Sequence, residues 1–309
     1  MTTALSDIVV GVLFQALAYS PLYLFAGMGE IIGEKSGVVN LGIEGVMIIS
    51  ALVMYTVDVF SGSPWLGILA ALAVAGLVGA LFAYLAVQMR LEQIVLGLAL
   101  YFFFLGLSSQ IFLTMNPPTT FVNIGAIYIP YLSDLPVIGK VLFQQNFLFY
   151  LSLVLVVAVS YFLQRTSFGL RVKAVGENPK AADNMGVNVQ KVRFLAVMGG
   201  AILMGLAGAY FEVAFLQSFQ YDPFAGKGFI VLAMIYLANW GPYRTLFAAV
   251  SFNIVGVAAS EYINLSATAI GGASALFVMI PFVYLLLLIP IMGRSARPPR
   301  FLLRPYRKG

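Results

Sequence analysis

The chain has no cysteine and no histidine among its 309 residues. Without cysteine there is no disulfide framework and no thiol nucleophile. Without histidine the commonest metal ligand is missing, and so is the usual general base near neutral pH. Charge is scarce as well: 9% of residues are Asp, Glu, Lys or Arg, against about a quarter in a soluble globular chain. No H-E-x-x-H and no paired nucleophile occurs, so no catalytic residue and no metal site is predicted and an intramembrane enzyme is disfavoured. A P-loop is also missing. Gly33-Glu-Lys-Ser36 lacks the G-x4-G-K-[ST] spacing, and Gly226-Lys227 is followed by glycine.

What the chain does have is apolar length. Hydrophobic residues make up 61% of it and the mean hydropathy is +0.97. Runs of roughly 20 apolar residues cross the hydrocarbon as helices. The expected fold is therefore an all-α polytopic integral membrane protein with about eight to ten transmembrane helices. Spans are predicted near Ile8–Met28, Val38–Val57, Trp65–Val87, Ile94–Leu113, Phe147–Leu163, Phe194–Leu216, Phe229–Ala238, Thr245–Ser260 and Gly272–Ile291. The run at Phe229–Ala238 is short for a crossing, which predicts a broken or re-entrant helix. Gly29–Gly37 is too polar to read as an ordinary continuation of the first span. No basic n-region precedes that span and no A-x-A site follows it, so it is expected to remain in the membrane.

The basic residues sort to one side of this alternation. They are Arg90, Arg244, six in the polar stretch 164–193 (Arg165, Arg171, Lys173, Lys180, Lys191, Arg193) and six in the tail 293–309, which has no acid (Arg294, Arg297, Arg300, Arg304, Arg307, Lys308). The other side has Lys140 and Lys227 against Asp58, Asp134, Asp222 and Glu261. The positive-inside rule places the 164–193 loop and the tail in the cytoplasm of a cell-membrane protein, and nine spans then put the N-terminus outside. The same rule accounts for the +5 net charge without nucleic acid. The outer segment Thr114–Gln145 contains Pro117, Pro118, Pro130 and Pro136, which predicts an ordered cap of turns and short pieces.

Two stretches share the pattern GLxGAxF, Gly76–Phe82 and Gly205–Phe211, on spans expected to run in opposite directions. An inverted repeat explains them; so does close packing of small residues between helices.

Ionisable and amide groups inside apolar spans mark pathway or buried-network positions. The candidates for a translocation pathway are Asn40, Glu44, Gln110, Glu212 and Asn253, with Asn116 and Glu261 as further polar positions. Glu30 and Glu34, one turn apart beside Lys35, read as interfacial or as part of the same polar cluster. The loop 164–193 carries a different signal. Asn178 is a good N-cap and Pro179 a good first helical residue, and Gly186 stops the helix about two turns later. A short exposed helix at Pro179–Gly186, with Ala181, Ala182 and Met185 on one face, suits a groove on another protein.

That helix, with Glu177, Ala181, Ala182 and Gly186 in the spacing Glu-x3-Ala-Ala-x3-Gly, resembles the coupling segment of ATP-binding cassette importer permeases. SGVVNLGIEG (36–45), GLRVKAVGENPKAADNMGVNV (169–189) and GKGFIVLAMIYLANWGPYRTLFAA (226–249) are similar to the branched-chain amino acid, sugar and nucleoside permease superfamily. A glutamate at Glu44 looks most like its nucleoside or simple-sugar members. The usual glycine-rich phrase after the short span is replaced here by Ala238-Asn239-Trp240. The resemblance covers nearly the whole chain, read as one permease domain over 1–309, and implies a division of labour. A separate ATPase subunit, carrying ATP and Mg, would dock on a coupling surface of Glu177, Pro179, Ala181, Ala182, Asp183 and Gly186. A second permease, identical or related, would complete the pathway, and an extracytoplasmic solute-binding lipoprotein would deliver a nucleoside or simple sugar. The competing class is a stand-alone secondary transporter using Glu44 and Glu212 as proton or cation sites.

Overall fold

The computed structural model describes residues 2–115, 122–216, 219, 222–270, 274–292 and 296–307. Among these, Asn116, Pro117, Pro118, Gly272, Arg294 and Lys308 do not fall, so the expectations that rest on them lie outside the described residues.

The described chain is helical, in the order α1 (Thr2–Lys35), α2 (Ile43–Ser61), α3 (Pro64–Ala83), α4 (Gln93–Met115), α5 (Ile138–Phe143), α6 (Phe147–Arg165), α7 (Ser167–Glu177), α8 (Pro179–Asn184), α9 (Val189–Phe211), α10 (Lys227–Leu237), α11 (Pro242–Ile270), α12 (Ser274–Val278) and α13 (Ile280–Met292). Among the described residues, seven helices are long and apolar enough to cross a membrane, and two shorter apolar ones, Lys227–Leu237 and Leu276–Pro290, join them. It is a multi-pass membrane protein.

Side chains at the helix starts show why the segments break where they do. Asn146, Thr166, Asn178 and Asn188 each accept a hydrogen bond from a backbone N–H of the first turn of α6, α7, α8 and α9. This satisfies donors that no carbonyl of the same helix can reach. Three of these caps lie in the charged stretch 164–193, which folds as two helices rather than one helix in a loop. The extra one, α7, escapes a search for apolar runs because its buried residues Val172 and Val175 alternate with exposed Arg171 and half-buried Lys173.

The first span also departs from the sequence reading. It does not end before the polar stretch at Gly29; α1 runs on through Lys35. The polar residues are tolerated because distant groups satisfy them. Glu30 Oε1 accepts from the Asn40 N–H at 2.8 Å, and Glu34 accepts from the Trp240 indole N–H. Both carboxyl groups are buried within the protein.

The two helices that carry the GLxGAxF stretches pack together, each stretch against the neighbouring turns of the other helix. A Cβ at Gly79 would strike Ala201 Cβ, one at Gly205 would strike Ala75 Cβ, and Gly76 faces Ile202. As residue numbers rise along α3 their partners on α9 fall, so the helices are antiparallel and packed through small residues. Each stretch also leads into a single π-helical turn, Tyr84–Gln88 and Glu212–Leu216. Close packing explains the shared letters, and the antiparallel pairing is what an inverted repeat requires.

One end of the bundle gathers the basic segments. Arg193, at the start of α9, is buried and donates from Nε to Ser36 O and from Nη1 to Arg304 O, each at 3.0 Å. Leu303 N–H donates to Gly37 O and Phe301 N–H to Gly176 O. The opposite end is closed by residues 122–146, a set of turns with α5 and an isolated bridge between Ala126 and Asn146. Asp58 accepts from Val122 N–H there, and Gln145 Nε2 donates to Phe14 O.

Candidate functional site

The central feature is a helix that begins inside the bundle. The basic end is marked by Arg193 on α9. Gly208 lies fifteen residues further along, about 22 Å at 1.5 Å per residue, and packs against the backbone of Met47. Glu44 precedes Met47 by one turn on α2, which runs away from the basic end. Glu44 therefore sits roughly 18 Å into the bundle, near the middle of a hydrocarbon core about 30 Å thick. The N-terminus of α10 is placed beside it: Glu44 Oε1 accepts from Gly226 N–H at 2.7 Å and Oε2 from Gly228 N–H at 3.1 Å. From there the 11 residues of α10 cover about 16 Å and return to the basic end. Beyond that helix, Asn239 accepts from Arg297 N–H and Trp240 meets Glu34. The short run thus forms a half-helix, as its length predicts.

Glu44 is the anchor of this half-helix. Its carboxylate takes the place of the preceding turn's carbonyls, and a negative group complements the positive end of the helix dipole. Contact is close enough that a Cβ at Gly228 would meet the Glu44 backbone N at 3.0 Å. Glu44→Ala strands two N–H donors in the bundle interior, each worth about 1–3 kcal/mol when unsatisfied. We expect Glu44→Ala to lower the thermal unfolding midpoint in detergent clearly. Glu44→Gln, which retains one acceptor oxygen, should fall between it and the parent. Equal midpoints for all three would remove the anchoring role.

Next to the half-helix is a cavity of about 380 Å³ between α1, α11 and the α12–α13 segment, with Gln15, Tyr19, Tyr23, Lys227, Phe252 and Asn253 in its wall. The rings of Tyr23 and Phe252 meet edge to face at 5.6 Å, and Tyr19 stacks on Phe215 at 4.1 Å. Lys227 Nζ donates to Phe224 O at 2.9 Å and lies 5.4 Å from the centre of the Phe211 ring. Asn253 is tied through Nδ2 to Ala249 O and Ser20 Oγ. Aromatic walls with a few placed amides and hydroxyls are the usual make-up of a small-molecule pocket, and the size falls in the usual range.

The five pathway candidates do not converge on one place. Glu44 and Asn253 belong to the half-helix and its cavity. Asn40 is buried one turn before α2, where its Oδ1 accepts from Gly42 N–H and its Nδ2 approaches Met204 Sδ. Glu212 is fully buried in the π turn after α9, and neither carboxyl oxygen has a hydrogen-bond partner among the described residues. Gln110 is exposed on α4, where its Nε2 donates to Thr114 of the same helix. Glu261 borders a separate apolar groove with Tyr262 and Ile8. Sequence reasoning missed Gln15, Tyr19, Tyr23 and Lys227. The spacing of Gln15, Tyr19 and Tyr23, four residues apart on one helix face, was the available signal.

At the basic end the proposed coupling residues lie on α7, on α8 and in the turn after it. Asn178 caps α8 by accepting from Ala181 N–H at 3.1 Å, Pro179 opens it, and Gly186 ends it with φ +83°. Glu177, Ala181 and Gly186 are exposed and Asp183 is half-buried. Pro179 and Ala182 point into the protein instead: Ala182 is 7% exposed and belongs to the same apolar core as Val172, Val175 and Val189. Ala182 therefore holds α8 down, and its place on the outer face is taken by Met185, 84% exposed.

A half-helix at mid-membrane, a polar–aromatic cavity beside it and a capped surface helix at one end define a membrane permease. The chain belongs to the family described as branched-chain amino acid transport system / permease component, which matches residues 12–289. It is 36% identical to TsgC13 of Haloferax volcanii, an ABC transporter permease protein provisionally named for glucose, over 79% of this chain and 75% of that one. It is 34% identical to the guanosine ABC transporter permease protein NupQ of Bacillus subtilis, over 88% of this chain and 86% of the relative. With the nucleoside ABC transporter permease protein NupC of Lactococcus lactis it shares 32% identity, over 91% and 92%. No solved structure matches the chain significantly.

Proposed function

We propose that this chain, as a single permease domain over 1–309, is the membrane-spanning subunit of an ATP-binding cassette importer for nucleosides. In this reading it is not an enzyme. ATP and Mg are bound and consumed by a separate ATPase that docks on the Glu177–Gly186 surface. A second permease chain completes the pathway, and an extracytoplasmic solute-binding lipoprotein delivers the solute. The protein sits in the cell membrane with its C-terminus in the cytoplasm. The observation that carries the reading is the half-helix α10, anchored at mid-membrane by Glu44 and bordered by the Tyr19–Tyr23–Phe252–Asn253 cavity. Flat aromatic rings suit the face of a base, and amides suit its edges and the ribose hydroxyls. The permease relatives named for guanosine and nucleosides, which match over most of both chains, support that cargo. A simple sugar is the second reading, favoured by the relative named for glucose.

The test is uptake by proteoliposomes holding the complete transporter and its binding protein. Labelled guanosine should accumulate only with ATP and an active ATPase, and unlabelled nucleosides should compete while ribose and glucose do not. Uptake of glucose or ribose alone would move the cargo to sugars. Uptake that persists with an inactive ATPase and collapses with the proton gradient would replace the importer by a secondary transporter.

A further inference from the structure

The C-terminal segment 296–307 is an unusually well-held tail. Its backbone is fixed at four points on four different parts of the bundle. Arg297 N–H donates to Asn239 Oδ1 at 2.8 Å, beyond α10. Phe301 N–H donates to Gly176 O at 2.9 Å, on α7, and Leu303 N–H to Gly37 O at 3.2 Å, after α1. Arg304 O accepts from the buried guanidinium of Arg193 on α9 at 3.0 Å. The segment then ends on α8, where the Tyr306 hydroxyl donates to Asp183 Oδ2 at 2.9 Å. Pro299 is buried, and Ala296, Leu302 and Tyr306 pack against the core. An untethered basic tail would have none of these bonds.

The path of the tail has a consequence for the surface it crosses. Beside α8 there is a concave site of about 360 Å³, walled by Asp183, Gly186, Val187, Asn188, Gln190 and Tyr306. Four of these belong to α8 and the turn after it, Gln190 to the first turn of α9, and Tyr306 comes from the tail. Around this socket the exposed charges are mostly positive: Arg171, Lys180 and Lys191 on the helices, with Arg300, Arg304 and Arg307 on the tail. Two acids lie among them: Glu177, 3.9 Å from Arg300, and the half-buried Asp183 of the socket wall.

We propose that segment 296–307 is the second half of the ATPase-docking surface, with Tyr306 closing the socket beside α8 and the tail arginines meeting an acidic rim on the ATPase. The inference rests on the importer reading above, to which it adds a contact surface outside the coupling helix. Because the tail is bonded to the ends of α1, α7, α9 and α10, an ATPase that grips tail and α8 together pulls on the half-helix and on α9 as one unit. Charge complementarity of this kind acts mainly on association rate and is screened by salt.

The experiment measures binding of the purified cognate ATPase to the full-length permease in nanodiscs of neutral lipid, at two salt concentrations. One variant is Arg300→Gln/Arg304→Gln/Arg307→Gln, which leaves every backbone bond of the tail in place; another is Tyr306→Ala. Met185→Asp on α8 serves as reference. We expect the triple variant to bind about tenfold more weakly at low salt, with a flatter salt dependence and an unchanged thermal midpoint. Tyr306→Ala should weaken binding at both salts. Parent-like binding by both tail variants, with Met185→Asp impaired, would overturn the tail's role and leave the importer reading standing. Failure of the parent itself to bind the ATPase would overturn the importer reading and this inference with it. If the triple variant loses affinity only for anionic-lipid membranes and binds the ATPase normally, the arginines serve the lipid surface and the proposal falls.

Discussion

Gly200→Leu should abolish the folded protein, while Gly199→Leu, one residue earlier on the same helix, should not. The reason is the crossing of α1 and α9. A Cβ at Gly200 would stand 2.5 Å from the carbonyl oxygen of Gly29 and 3.2 Å from its carbon, and a Cβ at Gly29 would strike the Gly200 carbonyl in return. These are backbone atoms of two long helices, so no flexible side chain can move aside. Overpacking a core costs about 1–3 kcal/mol when side chains can adjust, and here the helices themselves must separate. Gly199 meets nothing within 4 Å. Gly199→Ala should be neutral or stabilising, by up to about 1 kcal/mol from helix propensity, while Gly200→Ala is already destabilising. Monodisperse yield on size exclusion and the thermal midpoint in detergent distinguish the four variants. Comparable yields for Gly199→Leu and Gly200→Leu would mean that α1 and α9 do not touch through these glycines.

The same crossing shows where the sequence was readable and where it was not. Apolar length located the helices because the bilayer sets that length, and the half-helix α10 was legible because ten apolar residues cannot span. The caps of α8 were legible because Asn-Pro at a start and glycine at a stop act locally. What was hidden depends on partners far away in the chain. α1 continues through Glu30 and Glu34 because Asn40 and Trp240 satisfy them, the latter 206 residues away. Arg193 reads as one more exposed loop cation, yet it is buried because the carbonyls of Ser36 and Arg304 converge on it. The polar group Glu44 was found in sequence, but its role as a cap needed Gly226 and Gly228, 182 and 184 residues on. Ala238-Asn239-Trp240, which stands where glycines are usual in the family it resembles, is also explained by long-range bonds. Asn239 and Trp240 adopt φ of +51° and +55°, a region costly to most side chains, and each is held there through its side chain by Arg297 N–H or Glu34.

The direction of α8 decides what a mutation there can report. In a helix of six residues, periodicity is too short to tell which alanine faces in, and the pair Ala181–Ala182 invites the reading that both meet the ATPase. They do not share a face. Ala182 is in the apolar core and Ala181 is outside with Lys180, Asn184 and Met185. Ala182→Arg therefore places a long cation where a small side chain packs into the apolar core, and the helix must lift to release it. Coupling and thermal stability should both fall, and loss of transport in that variant would say nothing specific about docking. Met185→Asp changes only the exposed face. If α8 is the ATPase contact, Met185→Asp should leave the thermal midpoint within error. It should weaken ATPase co-purification by at least tenfold, since a central contact residue is worth roughly 2 kcal/mol or more. ATP-driven uptake should fall with it. Parent-like co-purification and uptake by Met185→Asp, with Ala182→Arg destabilised, would leave α8 as a structural brace and move the docking surface elsewhere on the basic end.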